Sequence, residues 1–342
     1  MKILYFFYQF KVTDFGKLQA FISYVAKVMN KSKVAVITDM LKAFWKHNIS
    51  FSDYFYLEFY NRPEVERSNH ASTLLMYKFQ SRLNSKESIA FFRNKKAFYK
   101  KFDKFIKHNY FITDDKNVED FKIWLIENNP NALMAKQSNG QAGSGLEKFE
   151  VTRSNKDDFL VGGKDLNTFY SYALNKKYDL IDTFIEQHPL LQEISPNALS
   201  TLRIVSIVDK SNPVKILKPL VRMSNDSFVD NFHQGGIAMA IDPETGNILA
   251  PVFFKDPRKS KTETQHPVTG KTLIGFKIPH WELVMPMIEQ AALVVPEVRT
   301  VGWDVLITKD GPSLLEGNDN WDKTLYEKTH QEGLKPVITS IK

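Results

Sequence analysis

Three oxygen-bearing side chains late in the chain carry the clearest chemical signal. They are Asp304, Glu316 and Asn318, within VGWDVLITKDGPSLLEGNDNWD (301–322). Hard divalent cations take oxygen ligands, and Mg²⁺ typically binds one or two carboxylates together with substrate phosphates. The segment reads as a β-hairpin: VGWDVLIT runs extended, Asp310-Gly311-Pro312 turns, and SLLEGND returns. Side chains alternate faces along a strand, so Glu316 and Asn318 share one. A three-residue turn at 310–312 sets Asp304 directly across from Asn318 and diagonal to Glu316, with Val305, Leu306, Leu314 and Leu315 flanking them. The plainer alternative is a surface hairpin whose acids are merely solvated. Either way the carboxyls are expected to be exposed.

A second signal lies upstream, in ALMAKQSNGQAGSGLEKFEV (132–151). An apolar strand ends in Lys136, a loop with Gly140, Gly143 and Gly145 follows, and a second strand leaves it. Glycines let backbone N–H groups approach phosphate oxygens while a lysine supplies charge. The lysine precedes the glycines, so this is not a Walker A loop, and the spacing is not a dinucleotide fingerprint. A flexible hairpin and a phosphate clamp both remain open on this stretch alone.

The elements that must position these groups follow from periodicity. Residues 1–110 read as helical and dense in aromatics. Phe91, Phe98, Phe102 and Phe105 fall on one helical face, with Lys95, Lys96, Lys100, Lys101, Lys104 and Lys107 over much of the rest. That basic surface is either a solvated face over a Phe-rich core or the source of one phosphate-binding lysine. Nucleic acid is not expected, because periodic aromatics are core rather than a stacking platform. The main boundary is placed near 110–118. Beyond a helix at 118–128, strands are expected at 132–137, 146–151, 180–185, 201–209, 215–223, 237–242 and 248–254. Helices are expected at 166–176 and 281–294, and a mobile surface loop at 255–270. Strands in hairpin order mixed with few helices predict an α+β fold.

Composition bounds the rest. With 342 residues, 43% hydrophobic and 25% charged, the chain can bury two or three packed subdomains. The absence of cysteine excludes disulfides, thiolate catalysis and Cys-ligated metal sites. A net charge of +7 suits an anionic partner. The opening MKILYFFYQF lacks a small-residue cleavage site, and no apolar run approaches a membrane span, so a cytoplasmic chain is expected.

Taken together, Lys136, the glycine loop, the acidic strand LIDTFIEQHP (180–189) and the D…E-x-N hairpin resemble, in that order, the ATP-grasp superfamily. Within it, IEQHPLLQEISPNALSTLRIVSIV (185–208), VRMSNDSFVDNFHQGGIAMAIDPETGNIL (221–249) and HPVTGKTLIGFKIPHW (266–281) are most similar to the sugar-transfer-associated ATP-grasp proteins of polysaccharide biosynthesis, related to α-L-glutamate ligases. The likeness covers roughly 90–325. It implies an ATP-grasp fold, two α+β subdomains clamping ATP, preceded by a mainly helical N-terminal region (1–110). The ATP-grasp domain would span 111–330, with a nucleotide clamp at about 118–185 and a metal and substrate subdomain at about 186–330. The implied activity is a carboxylate–amine ligase that forms an acyl phosphate, with ATP and Mg²⁺, or Mn²⁺ in its place. Implied partners are a small or sugar-linked carboxylate, an amine acceptor and polysaccharide-assembly enzymes.

The resemblance also distributes roles. Asp304, Glu316 and Asn318 would hold the metal. Lys136 would touch the α- or β-phosphate, and the loop with Gly140, Gly143, Ser144 and Gly145 would close over the triphosphate. Asp182, Thr183, Phe184 and Ile185 would line the adenine, with backbone at 183–185 pairing its edge and Glu186 or His188 near the ribose. A second nucleotide lysine is expected before Lys136: Lys101 first, then Lys95. Arg203 and Arg222 lie within strands, where a buried unpaired charge is costly. They read either as salt-bridged core arginines or as catalytic groups, Arg222 with Asn231 gripping the phosphoryl or substrate carboxylate. Gly235 and Gly236 would let backbone approach the ligand there. His233 and His266 read as structural or as a general base, and His266 or His280 could meet the acceptor. The rival functions are a kinase on the same scaffold and a non-catalytic nucleotide-binding scaffold for glycosyltransferases.

Overall fold

Residues 2–61 form short helices whose apolar stripes meet in one aromatic core containing Phe21, Phe44, Phe51, Tyr54, Phe55 and Phe59, while the helix Thr73–Leu83 packs with Trp321 and Tyr326. Three of the first four helices start at side-chain acceptors: Asp14 takes the N–H of Lys17, Ser32 that of Ala35 and Ser50 that of Asp53. The structure, a computed structural model, describes residues 2–140, 145–155, 158–209, 212–225, 235–259 and 264–341.

Beyond residue 109 the strands build two sheets among the described residues. The first contains β1 (Tyr110–Ile112), β2 (Ala132–Lys136), β3 (Leu146–Asn155), β4 (Asp158–Val161), β5 (Lys164–Asp165) and β6 (Leu180–Thr183), in the order β1-β6-β2-β3-β4-β5. The second contains β7 (Thr201–Asp209), β8 (Asn212–Ile216), β9 (Leu220–Met223), β10 (Ile237–Ala240), β11 (Phe253–Phe254), β12 (Thr300–Thr308) and β13 (Gly311–Asn318). Its order is β11-β10-β9-β7-β12-β13, with β8 also on β7. All pairings are antiparallel, so the expected α+β architecture is present.

Two strand expectations need correction. The stretch 215–223 runs along β7 in two pieces, because Pro219 has no N–H for the ladder and the register slips by one across it. Likewise only Phe253–Phe254 of 248–254 is strand, the run being broken at Pro251. The loop expected at 255–270 is folded at its far end, where His266 is buried and Gln265 bridges Thr272.

The hairpin β12–β13 lies at the heart of the largest core. Every residue of β12 is buried. Trp303 packs against Phe92 and Phe102 and donates its indole N–H to Ser206 Oγ at 2.8 Å. Gly302 and Gly317 permit this crowding, since a Cβ there would fall 2.6 Å from Trp321 Cβ and 2.7 Å from the Phe92 ring. The helix Lys95–Phe102 shares this core through Phe98, Tyr99 and Phe102. By packing it belongs with the sheets rather than with the N-terminal bundle, so the boundary expected near 110 does not mark a break in contacts.

The bundle is fastened to the sheets by a buried charge network. Directly after the hairpin, the helix Lys323–His330 sends Lys323 Nζ to Asp53 (3.0 Å) and Lys328 Nζ to Glu58 (2.8 Å). Glu327 Oε1 accepts the N–H groups of Ala71 (2.7 Å) and Leu334 (2.8 Å). Burial pushes the Glu327 carboxyl up to about 7, against the pull of Lys323.

Candidate functional site

The floor of the site is the second sheet. β12 lies between β7 and β13, and Asp304 is paired with Arg203 on one side and Glu316 on the other. This corrects the expected hairpin register. The turn has two residues, Lys309 and Asp310, because Thr308 already faces Gly311. The pairing then shifts between Asp304 and Val305, leaving Leu315 as the extra residue of a bulge. The bulge brings Glu316 opposite Asp304, where an unbroken ladder would bring Leu315. Asn318 pairs with Gly302 and shares the Glu316 face, donating Nδ2 to Glu316 Oε1 at 3.2 Å.

Asp304 is not exposed, as expected from sequence, but 2% accessible. Arg203 grips it through Nε (2.6 Å) and Nη2 (3.1 Å), and Arg222 Nη2 reaches Oδ2 at 3.0 Å while bonding Thr201 Oγ1. Burial works to raise the Asp304 pKa, but the two guanidiniums prevail and hold it at about 2. Glu316 goes the other way: burial first, then the adjoining Asp304 charge, push its carboxyl above the usual range. Two carboxylates and an amide oxygen are thus held together where one of the acids resists ionising. That donor chemistry fits a hard divalent cation, whose charge would reverse the pressure on Glu316.

The roof comes from the first sheet and the helix Lys95–Phe102. Lys136, at the end of β2, is buried and ion-paired with Asp182, and it donates to Tyr99 OH at 3.1 Å. Tyr99 OH donates to Asp182 Oδ2 (3.0 Å), and His108 Nε2 lies 3.1 Å from Tyr99 OH. Asp182 has no accessible surface. Burial raises its pKa, yet Lys136 and then His108 hold it below the usual carboxylate range. It is therefore an internal partner of Lys136 rather than part of an adenine-facing surface. The N–H of Thr183 donates to Asn109 O and that of Phe184 to Ala132 O, so these two donors are spent within the protein. Phe184 is partly exposed beneath Lys148, Ile185 is half-buried and Glu186 is exposed. His188 N–H then bonds Ile307 O at 2.7 Å, tying the segment between the sheets to β12.

The glycine loop is anchored at both ends. Gln137 N–H donates to Gly145 O, and Ser138 is clamped by Asp179 through N (2.7 Å) and Oγ (2.7 Å). Gly145 has φ +68, the left-handed region that glycine enters freely. Lys95 N–H donates to Ser138 O, and Lys95 Nζ bonds Gly140 O. Burial lowers the Lys95 pKa while Glu316 opposes it, so the roof lysine feels the floor carboxylate. Lys101 does not reach this place: it is exposed over the Phe91 ring (5.6 Å), since six residues turn it some 240° around the helix. The structure brings Lys95 to the cleft instead.

Gly143, Ser144, Asn231 and His233 lie outside the described residues. Gly235 has φ +104 with open space around it. His266 Nε2 lies 2.8 Å from Ser224 O, and burial lowers its pKa, as befits a structural imidazole. His280 stands edge-on to His188, ring centroids 5.5 Å apart. Sequence reasoning missed Tyr99, His108 and Asp179. Only Tyr99 left a trace, four residues after Lys95 and so on the same helical face.

A family model described as sugar-transfer associated ATP-grasp matches residues 75–342. Among solved structures the chain is similar to the ATP-grasp ligase PsnB complexed with minimal precursor, at 14% identity and TM-score 0.45, covering 76% of this chain and 63% of that one. It is also similar to D-alanyl-alanine synthetase A from Vibrio cholerae, at 12% identity and TM-score 0.43, with 75% and 66% covered. A third is the ADP complex of purK, N5-carboxyaminoimidazole ribonucleotide synthetase, at 11% identity and TM-score 0.41, with 69% and 47% covered. The chain spans less than two thirds of each of these structures. No curated protein matches.

Proposed function

The chain belongs to the sugar-transfer-associated ATP-grasp family over residues 75–342, and on that footing we propose that it is an ATP- and Mg²⁺-dependent carboxylate–amine ligase acting on sugar-linked or small carboxylates in surface-polysaccharide assembly. The observation that carries this reading is that Asp304, Glu316 and Asn318 stand beside Arg203 and Arg222, with the charge of Glu316 felt by Lys95. Such an arrangement suits phosphoryl transfer, which is mainly positioning and charge neutralisation.

Asp304, Glu316 and Asn318 would hold the metal, whose contribution when bound is to neutralise phosphate charge. Lys136, fixed by Asp182 and Tyr99, and Lys95, on the loop carbonyl, present their ammonium groups to the triphosphate. In the first step a carboxylate oxygen attacks the γ-phosphorus and ADP leaves. In the second an amine attacks the acyl carbon, loses a proton and expels phosphate. Arg222 supports both, because its planar fork matches a carboxylate and a phosphoryl group alike.

The test is ³¹P NMR of ATP turnover across a panel of amino acids and uronic sugars, with hydroxylamine present. An acyl phosphate yields a hydroxamate of the carboxylate substrate together with free phosphate. ADP accompanied by a stable phosphorylated alcohol, and no hydroxamate, would replace the ligase with a kinase.

A further inference from the structure

The first helix, Lys2–Val12, is apolar on both sides. Its inner side meets the bundle: Phe6 packs on Phe44 and Phe51, and Gln9 Oε1 accepts the N–H of Phe51 at 3.3 Å. Its outer arc carries Leu4, Phe7, Tyr8 and Lys11. Leu4 is 74% exposed, Phe7 65% and Tyr8 54%, and Ile3 and Phe10 continue the exposed surface at the margins. A surface helix of a globular protein ordinarily turns charged residues to solvent. This one turns its largest apolar side chains there, and its sequence KILYFFYQFKV contains no acidic residue. Contiguous apolar exposure of this kind marks an interaction surface.

The charge around it says what kind. Residues 1–50 hold eight lysines against two aspartates, a net +6, which leaves almost none of the chain's +7 for the remaining residues. One of the two aspartates, Asp39, is already bound to Arg67 at 2.8 Å. The occupant of this face must therefore accept bulky aromatic and aliphatic side chains and also carry diffuse negative charge. At a rise of 1.5 Å per residue, eleven residues extend about 16 Å, roughly half the hydrocarbon thickness of a bilayer. No described helix is long and apolar enough to cross a membrane. A short aromatic helix with Lys11 on its exposed arc, at the start of a lysine-rich segment, suits the headgroup region of an anionic bilayer, lying in the plane.

We propose that Lys2–Val12 docks the protein on an anionic lipid surface, with Leu4, Phe7 and Tyr8 inserted and Lys11, on the same arc, at the headgroups. The buried contacts of Asp53 and Glu58 with Lys323 and Lys328 then carry that orientation to the helix that follows the Asp304–Glu316 hairpin. The cleft is thereby held at a fixed attitude to the membrane, which suits a substrate bearing a lipid tail.

The experiment is sedimentation of the full chain with vesicles of equimolar phosphatidylglycerol and phosphatidylcholine, against vesicles of phosphatidylcholine alone. The chain should bind the anionic vesicles at least about tenfold more tightly. Leu4→Ser/Phe7→Ser should weaken that binding by roughly a hundredfold, since two large apolar side chains no longer leave water. Both positions are exposed, so the variant should melt as the wild type does; Leu4→Ser alone should move binding the same way by a smaller factor. Absent vesicle binding, or equal binding by wild type and double variant, overturns the proposal. So does self-association in the ultracentrifuge that the double variant abolishes without any vesicle binding, which would assign the face to a second copy.

Discussion

Replacing Asp304 and replacing Glu316 should have opposite effects on stability although the two carboxylates touch. Asp304 is held at about 2, from an ordinary 3.8, by Arg203 and Arg222 acting against burial. That depression is worth roughly 2 kcal/mol of folding free energy at neutral pH. Removing one partner of a buried ion pair costs about 3–5 kcal/mol, though Glu316 beside the arginines can take over part of the role. Asp304→Asn should therefore destabilise the protein by about 3 kcal/mol, a fall in Tm of about 4 °C if the chain melts as one unit. Because the folded pKa is lowered, this contribution is complete above the unfolded value and disappears as pH falls through about 2. Glu316 has a raised pKa, so ionising it in the folded state costs stability as pH rises. Glu316→Gln should accordingly raise the Tm of the metal-free protein, by more at pH 8 than at pH 5. Both variants should lose at least about a hundredfold in Mg·ATP turnover if they share one site. Thermal melts across pH, with EDTA present, and a coupled ADP assay provide the readouts. Shifts of the same sign, or near-native turnover in either variant, would refute the reasoning.

Three further outcomes follow from the same geometry. Lys95→Ala should weaken ATP binding by roughly tenfold or more through loss of a charge-assisted contact, whereas Lys101→Ala should stay within about twofold; calorimetric titration with AMPPNP separates them. Metal binding should release a proton from Glu316, because a cation reverses the effect that raises its pKa. Titrations of Mg·ADP in buffers of different ionisation enthalpy should reveal this below neutrality, and Glu316→Gln should remove it. Glu327 has a pKa raised to about 7 from 4.5, so its ionisation should cost the fold ~3 kcal/mol as pH climbs through that interval. Wild type should lose Tm between pH 5 and 8, and Glu327→Gln should flatten that slope.

Much of the site was legible because it rests on chemistry that only certain residues can supply. A lysine ending a strand, a glycine loop and two acids on a hairpin are local signals, and Lys95, bonded to Gly140 at the start of that loop, feels the charge of Glu316. What was illegible depended on neighbours distant in sequence. The Leu315 bulge obeys no composition rule, yet it decides which residue faces Asp304. The burial of Asp304 arises because β7 supplies Arg203 from 101 residues away. Lys95 and Lys101 are alike in type, and only the docking of their helix on the Trp303 core selects between them. Asp182 reads as an acid bordering the nucleotide until Tyr99 and His108 close over it. The charged helix Lys323–His330 left no reading in the sequence, and most of it is buried.

That last helix bears on where the chain can be cut. Recognisable ancestry begins at residue 75, but Asp53, Glu58 and the backbone of Ala71, which satisfy Lys323, Lys328 and Glu327, lie before it. A recombinant fragment trimmed to the matched segment would lose these bundle partners and uncover the helix face they cover, next to the exit of the hairpin. The lost contacts and the newly exposed face together weaken a fold whose net stability is small. Expression or crystallisation work should therefore keep the residues before 75 that Lys323, Lys328 and Glu327 contact.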